Sequence, residues 1–244
     1  MDGVIYHGAK LLPGAKEFVD WLTANDKRFL FLTNNSKHTP LELKQKLEKL
    51  GISVKAEHFM TSAIATANFL ASQCPKGKAY VIGDNGLYQA LSEAGFSFDE
   101  SDPDYVVVGE TKTYNYERIE KAINLVLKGA KLIGTNSDLT GPIEEGIAPA
   151  CRALIAPIEL ATGRQAYYIG KPNPLIMRSS LKKLECKREN TVIIGDRMDT
   201  DIISGIESEI ETILVLSGIT SRDDLVRYPY KPDHILNGVG DICR

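Results

Sequence analysis

The sequence predicts an α/β protein with a doubly wound, mostly parallel sheet, and three observations carry that prediction. Short apolar runs, rich in β-branched and aromatic residues, recur along the 244 residues. Each run is apolar at nearly every position, which is typical of strands buried on both faces of a parallel sheet. Amphipathic stretches separate the runs, and such alternation of strands and helices indicates a doubly wound architecture.

The predicted strands are short, and each ends near a polar residue. They are "RFLFLT" (28–33), "AYVIGD" (79–84), "YVVVGE" (105–110), "KLIGT" (131–135), "AYYIGK" (166–171), "TVIIGD" (191–196) and "TILVLS" (212–217). The predicted helices cover 13–25, 39–51, 62–72, 85–94, 115–130, 150–162, 173–184 and 199–208. In the second of these helices, Thr39 suits the N-cap, Pro40 the first helical position, and Glu42 completes a capping box.

Two weak boundaries divide the chain. Pro, Gly and Lys interrupt the pattern at "QCPKGK" (73–78), and a second interruption lies at "ATGRQ" (161–165). The apolar runs between them are numerous enough for a small separate sheet. We therefore expect residues 77–166 to form an α/β cap domain, inserted into a discontinuous core made of residues 1–76 and 167–244.

Composition excludes several function classes. Charged residues make up 25% of the chain and the net charge is −3, so there is no basic surface for nucleic acid or for an anionic membrane. The four cysteines are widely spaced, as in a protein with reduced thiols. No apolar run approaches the ~18 residues of a membrane span. We expect a cytoplasmic protein with neither nucleic-acid nor membrane partners.

Candidate functional residues stand at the carboxyl ends of the predicted core strands, where open α/β sheets bind their ligands. They are the stretch Thr33-Asn34-Asn35, Lys171 and Asp196, with Asp2 near the amino terminus. Taken singly, each has a plainer explanation: turn or cap chemistry, a solvated lysine, or a helix cap. Together, a hydroxyl, an ammonium group and carboxylates suit a divalent metal with a phosphoryl group.

The stretch "GDRMDTD" favours a metal more strongly. Asp196, Asp199 and Asp201 crowd within six residues, and carboxylates this close repel each other unless a cation or exposure to water compensates. Other chemistries lack their motifs, because no GxGxxG follows a strand and neither a Walker-type loop nor a GxSxG elbow is present.

These residues also resemble a known family. "DGVIY", "FLFLTNNS", "YIGKPNP" and "VIIGDRMDTD" occur in the order of the four motifs of the haloacid dehalogenase superfamily of phosphatases. The insert between the second and third motifs carries "VVVGETKTYNYE" and "GTNSDLT", which look like the NagD-like class IIA branch. The resemblance covers essentially the whole chain and implies a core with an α/β cap.

The resemblance implies a role for each matching residue. Thr33 would hydrogen-bond a phosphoryl oxygen, with Asn34 and Asn35 shaping the same substrate-binding loop. Lys171 would pair with the nucleophile and with the phosphoryl charge. Mg²⁺ would be the cofactor, bound by Asp196, with Asp201 orienting its ligands.

The same resemblance assigns two roles to Asp2 and a further one to the cap. Asp2 would protonate the leaving oxygen and then deprotonate the attacking water, while its backbone carbonyl binds the metal. In the cap, Asn136 and Asp138 would lie in a loop that helps to choose the substrate, with a simple turn as the alternative.

The sequence departs from the family at its beginning. The nucleophile of the family is the first aspartate of DxDG, and counting back from Asp2 places it one residue before Met1. The first core strand, which leads into that aspartate, is also missing. We expect a misplaced start, with Met1 as an internal residue of the motif.

The resemblance implies hydrolysis of small phosphorylated metabolites, such as nucleoside monophosphates or sugar phosphates, through an aspartyl-phosphate. The alternative is a catalytically inactive module that still binds metal and phosphate, because the nucleophile is absent. A homo-oligomer stays open. A smaller departure is Glu209, which stands where relatives tend to have a glycine that closes a helix before the next strand.

Overall fold

The computed structural model describes residues 1–143 and 145–243. Its strands are β1 Tyr6–His7, β2 Lys10–Leu11, β3 Phe31–Thr33, β4 Phe59–Thr61, β5 Lys78–Ile82, β6 Ser97–Phe98, β7 Tyr105–Val108, β8 Lys131–Gly134, β9 Thr140–Pro142, β10 Ile147–Pro149, β11 Tyr167–Tyr168, β12 Val192–Gly195, β13 Glu211–Val215 and β14 His234–Leu236. Its α-helices are α1 Ala15–Ala24, α2 Pro40–Lys49, α3 Ser62–Gln73, α4 Asn85–Glu93, α5 Tyr116–Leu127, α6 Cys151–Thr162, α7 Pro174–Leu184 and α8 Ile203–Glu207.

The chain forms two compact units. The first unit contains Met1–Leu32, Leu43–Phe59 and Lys171–Arg244, and the second contains Thr33–Glu42 and Met60–Gly170. The expected domain boundaries at residues 77 and 166 stay a prediction.

The first unit contains a parallel sheet of three strands in the order β12-β13-β14. Its register places Ile194 opposite Ile213, and Leu214 opposite Ile235. The core beside it gathers buried apolar side chains from distant parts of the chain, among them Val19, Leu47 and Val215. Residues near the amino terminus therefore pack with residues from the last third of the sequence.

The second unit contains a parallel sheet of five strands in the order β11-β8-β7-β5-β6. Strands β5 and β7 are apolar and almost wholly buried, as expected for strands covered on both faces. The core of this unit includes Ile82, Val106, Leu132, Ile155 and Ile158. A two-stranded antiparallel ribbon, β9 with β10, leads into α6.

The α/β fold class with parallel sheets is confirmed. All seven predicted strands occur, although each is shorter than its apolar run. The sequence did not predict β1, β2, β4, β6, β9, β10 or β14, because these strands have only two or three residues each. The predicted capping box forms: the Thr39 amide donates to Glu42 Oε2 at 2.7 Å, and the Glu42 amide donates to Thr39 Oγ1 at 3.2 Å.

The predicted helix at 199–208 has two parts. A π-helical turn covers Met198–Ile202 and passes directly into α8. Among the residues described, no helix is long and apolar enough to cross a membrane.

Candidate active site

A buried ion pair lies at the carboxyl end of β12 in the first unit. The Lys171 ammonium donates to Asp201 Oδ1 at 2.5 Å, and both side chains are about nine-tenths buried. The Arg197 amide donates to Asp201 Oδ2 at 3.2 Å. Burial is the largest single effect and raises the pKa of Asp201, but the charge and hydrogen bond of Lys171, together with smaller effects that include the Arg197 amide, bring the net pKa below its usual value. Asp201 therefore stays ionised.

Asp196 is the second buried carboxylate at this sheet end. Its Oδ2 accepts from the Ile219 amide at 2.9 Å, and its backbone carbonyl accepts from the Thr220 amide at 3.1 Å. Its pKa is raised above the usual value, first by burial and then by the negative charge of Asp201. A cation beside Asp196 would offset both effects.

Glycines leave room around both carboxylates. A Cβ atom built on Gly218 would lie 2.1 Å from Asp196 Oδ2, and one on Gly3 would lie 2.4 Å from the same oxygen. A Cβ atom on Gly195 would lie 2.2 Å from the Asp201 Cβ. These three positions tolerate no side chain while the carboxylates keep their places.

The expected metal site is consistent with these residues. Mg²⁺ is commonly held by one or two carboxylates, with waters and substrate phosphate completing its shell. Asp196 and Asp201 supply two buried carboxylates, and the backbone of Gly3 and Gly218 packs directly against Asp196. Among the described residues there is no group of three or more His, Cys, Asp or Glu side chains that could hold a metal ion.

The side chains of two further predicted acids have partners other than Lys171. Asp199 is exposed and forms a two-pronged ion pair with Arg197, at 2.9 and 2.8 Å, so it does not join the other two carboxylates. The Asp2 side chain is about half exposed, and its Oδ1 lies 3.3 Å from His7 Nδ1. The backbone after Asp2 turns back towards the site, since the Gly3 carbonyl accepts from the Ser217 hydroxyl at 2.7 Å.

An apolar channel of about 390 Å³ runs through the first unit beside these residues. It follows β12 along its whole length and the stretch from Leu30 to Leu32 on its other side. Strand β12 pairs with β13 on one edge only, so the edge that faces the channel is free. Lys27, Arg28 and Asn190 line one end, and Lys171, Gly195 and Asp201 line the other. The lining of the channel is mostly apolar along the length of β12.

The Thr33-Asn34-Asn35 stretch lies in the second unit, at the end of β3. The Asn35 amide donates to Thr33 Oγ1 at 3.2 Å. The Asn35 side-chain oxygen accepts from the amides of Lys37 and His38, at 3.1 and 2.9 Å. These contacts form a tight polar turn that fixes the Thr33 hydroxyl within the loop.

Asn136 and Asp138 contact this same loop. The Asn136 amide group donates to the Asn34 carbonyl at 2.8 Å, and the Asn34 amide group donates to Asp138 Oδ2 at 2.8 Å. Asn136 is fully buried. The structure therefore brings together Asn34, Asn136 and Asp138 in the second unit, and Lys171, Asp196 and Asp201 in the first.

Sequence reasoning missed two serines that support these groups. Ser62 donates its hydroxyl to the Asn34 carbonyl at 2.6 Å, and Ser217 contacts the Gly3 carbonyl. Ser217 and Gly218 follow an apolar strand directly, so the rule that singled out the other strand ends would have found them. Ser62 follows β4, which was not predicted.

Comparisons with known proteins identify the family. Residues 1–97 match a family described as haloacid dehalogenase-like hydrolase, and residues 168–242 match a HAD-hydrolase-like family. The chain is 48% identical over 243 residues to dihydroxyacetone phosphatase of Corynebacterium glutamicum, covering 100% of this chain and 88% of that one. It is 42% identical over 242 residues to ribonucleotide monophosphatase NagD of Escherichia coli, covering 99% and 95%.

A solved structure agrees with these matches. The 4-nitrophenylphosphatase of Thermotoga maritima superposes with a TM-score of 0.95 at 36% identity, over 99% of this chain and 93% of that one. The chain belongs to the haloacid dehalogenase-like hydrolases, in their NagD-like branch.

Proposed function

We propose that this protein is a Mg²⁺-dependent phosphatase that hydrolyses small phosphomonoesters, such as nucleoside monophosphates or sugar phosphates. The observation that carries the proposal is the buried Lys171–Asp201 pair at the end of the apolar channel, with Asp196 beside it. The names of the relatives support the same reaction class, since both curated proteins compared above are phosphatases.

The nucleophile is the central element of the proposed mechanism. A segment that precedes Met1 would fill the channel as an extended strand parallel to β12. Its last residue would then reach the end that Lys171 and Asp201 line. An aspartate at that position, one residue before Met1, would attack phosphorus and form an aspartyl-phosphate, which water then hydrolyses.

Asp2 cannot replace that nucleophile. Residues two apart on an extended segment are separated by about 6.6 Å, so Asp2 cannot attack from the place of its neighbour. We assign to Asp2 the general acid and base: it donates a proton to the leaving oxygen and later accepts one from the attacking water. Its carboxylate is about half exposed and lies beside His7.

Cations and hydrogen-bond donors counter the repulsion between an anionic nucleophile and an anionic substrate. Lys171 would contact the phosphoryl group, and Asp201 holds its ammonium in place. Thr33 would donate its hydroxyl to a phosphoryl oxygen, in the loop that Asn34 and Asn35 shape. Asp196 would hold Mg²⁺, with Asp201 and the Asp2 carbonyl completing the protein part of the site, and the ion would neutralise phosphoryl charge. Asn136 supports the same loop from the cap side.

One observation favours a second candidate, a catalytically inactive module that binds metal and phosphate. Among the described residues that line the channel, Asp201 is the only carboxylate, and Lys171 holds it. We also propose a cytoplasmic location, which the four free cysteines support.

An activity assay distinguishes the two candidates. The chain beginning at Met1 is compared with one extended by five apolar residues and a final aspartate, using 4-nitrophenyl phosphate and Mg²⁺. We expect turnover by the extended chain alone, and loss of that turnover in Lys171→Ala and Asp196→Ala. An extended chain that folds and shows no turnover supports the inactive module.

A further inference from the structure

We infer that Asp138 is a positioning residue: it holds the Thr33–Asn35 loop through Asn34 and does not act by contacting the substrate. The inference rests on the proposed function, since it takes the loop to bind the phosphoryl group. It replaces the expectation that Asp138 helps to choose the substrate by direct contact.

Asn34 is held from several directions within the second unit. Its side-chain amide donates to Asp138 Oδ2 at 2.8 Å. Its carbonyl oxygen accepts from Ser62 Oγ at 2.6 Å and from Asn136 Nδ2 at 2.8 Å. A Cβ atom on Gly170 would lie 2.7 Å from Asn34 Oδ1, so the backbone packs closely against the remaining side of this side chain.

Hydrogen bonds to residues other than Asn34 hold the backbone of Asp138 in place. Its backbone amide donates to Asn136 Oδ1 at 3.1 Å, and its carbonyl accepts from the Arg152 amide at 3.1 Å. Asn136, which contacts both partners, is fully buried. The acceptor oxygen of Asp138 is therefore placed by the backbone turn, and it can set the side-chain orientation of Asn34.

The position of Asn34 determines that of its neighbours. Thr33 and Asn35 flank it directly, and the Asn35 amide donates to Thr33 Oγ1 at 3.2 Å. A shift of Asn34 would therefore displace the Thr33 hydroxyl, which is proposed to donate a hydrogen bond to the phosphoryl oxygen. Loss of the Asp138 acceptor should weaken binding of the phosphoryl group itself.

Inorganic phosphate distinguishes this role from a substrate contact, because it has no leaving group for a cap residue to recognise. A positioning residue affects phosphate binding, whereas a residue that reads the leaving group does not. The measurement is the phosphate Kd of the full chain in Mg²⁺, obtained by isothermal titration calorimetry.

We expect Asp138→Ala to raise the phosphate Kd about fivefold, which is the effect of losing one typical hydrogen bond. Asp138→Asn keeps a side-chain oxygen that can accept from Asn34, so its Kd should stay within about twofold of the wild type. Asp102→Ala, which removes an exposed carboxylate elsewhere in the same unit, is the control for charge and should not change the Kd.

A second variant keeps the inference testable if Asp138→Ala folds poorly. Ser62→Ala removes a different support of Asn34 and should raise the phosphate Kd about threefold. Equal phosphate binding by wild type and Asp138→Ala would overturn this inference and leave the proposed function standing. The same holds if Asp138→Asn binds phosphate as weakly as Asp138→Ala. A wild type that binds no phosphate would contradict the proposed function as well.

Discussion

Filling the channel should stabilise the first unit measurably. The perturbation is the five-residue apolar extension with a final aspartate before Met1. The channel measures about 390 Å³, and at about 24 cal/mol for each Å³ this volume corresponds to about 9 kcal/mol. Ordering the six added residues costs about 9 kcal/mol, at about 1.5 kcal/mol each. About four backbone hydrogen bonds to the free edges contribute about 1 kcal/mol each.

The balance is an increase of about 4 kcal/mol in the free energy of unfolding. Trp21 is the single tryptophan of the chain and lines the channel, so its fluorescence reports on unfolding of this unit in urea. The control is an extension of the same length in which serine and lysine replace the apolar residues. An apolar extension that leaves the urea midpoint equal to that of this control would refute the assignment of the channel to a strand.

Three further predictions follow from single residues. Glu209 has φ +55°, so Glu209→Gly should raise the free energy of unfolding by about 0.5–1 kcal/mol in urea melts. Glu209→Ala loses the same ion pair with Arg188 but keeps a Cβ atom, so it should not raise the free energy of unfolding. An equal increase in Glu209→Gly and Glu209→Ala would contradict the backbone explanation. Lys171→Met leaves Asp201 buried without its cation and should lower the free energy of unfolding by about 3–5 kcal/mol. The double variant with Asp201→Asn should recover part of this loss in the same urea melts. A double variant as unstable as Lys171→Met would argue against the ion pair. Hydrogen bonds from the hydroxyl and the amide of Thr212 hold the pKa of Asp233 below its usual value. Stability from Asp233 is therefore complete above about pH 4 and is lost as the pH falls through its folded pKa. Asp233→Asn should therefore cost more stability at pH 7 than at acidic pH, measured by urea melts, and a difference that stays constant with pH would contradict that assignment.

The main strands were predictable because burial on both faces leaves a continuous apolar run. Strands β5, β7 and β12 carry that signal plainly. Strand β6 lacks this signal, because it has only two residues and both are exposed. Pairing with β5 defines it as a strand, and a neighbour distant in sequence cannot be read from the local pattern.

The residues of the candidate site were predictable because parallel strands present their carboxyl ends at one edge of a sheet. Lys171 and Asp196 were singled out in this way, and Asp201 was singled out because it is crowded with Asp196 and Asp199 in the sequence. Their contacts were not predictable, since spacing alone did not show that Asp199 faces Arg197 or that Asp138 reaches Asn34. Side-chain partners depend on the folded backbone, which brings residues 34 and 138 together across more than a hundred positions.

The proposed mechanism depends on a carboxylate in the position directly before Met1. The most direct measurement is the mass of the extended chain, quenched in acid during turnover of 4-nitrophenyl phosphate with Mg²⁺. With aspartate at that position we expect a phosphoryl adduct and steady hydrolysis, and with asparagine neither. Steady hydrolysis by the asparagine variant, or by the chain beginning at Met1, would contradict the account.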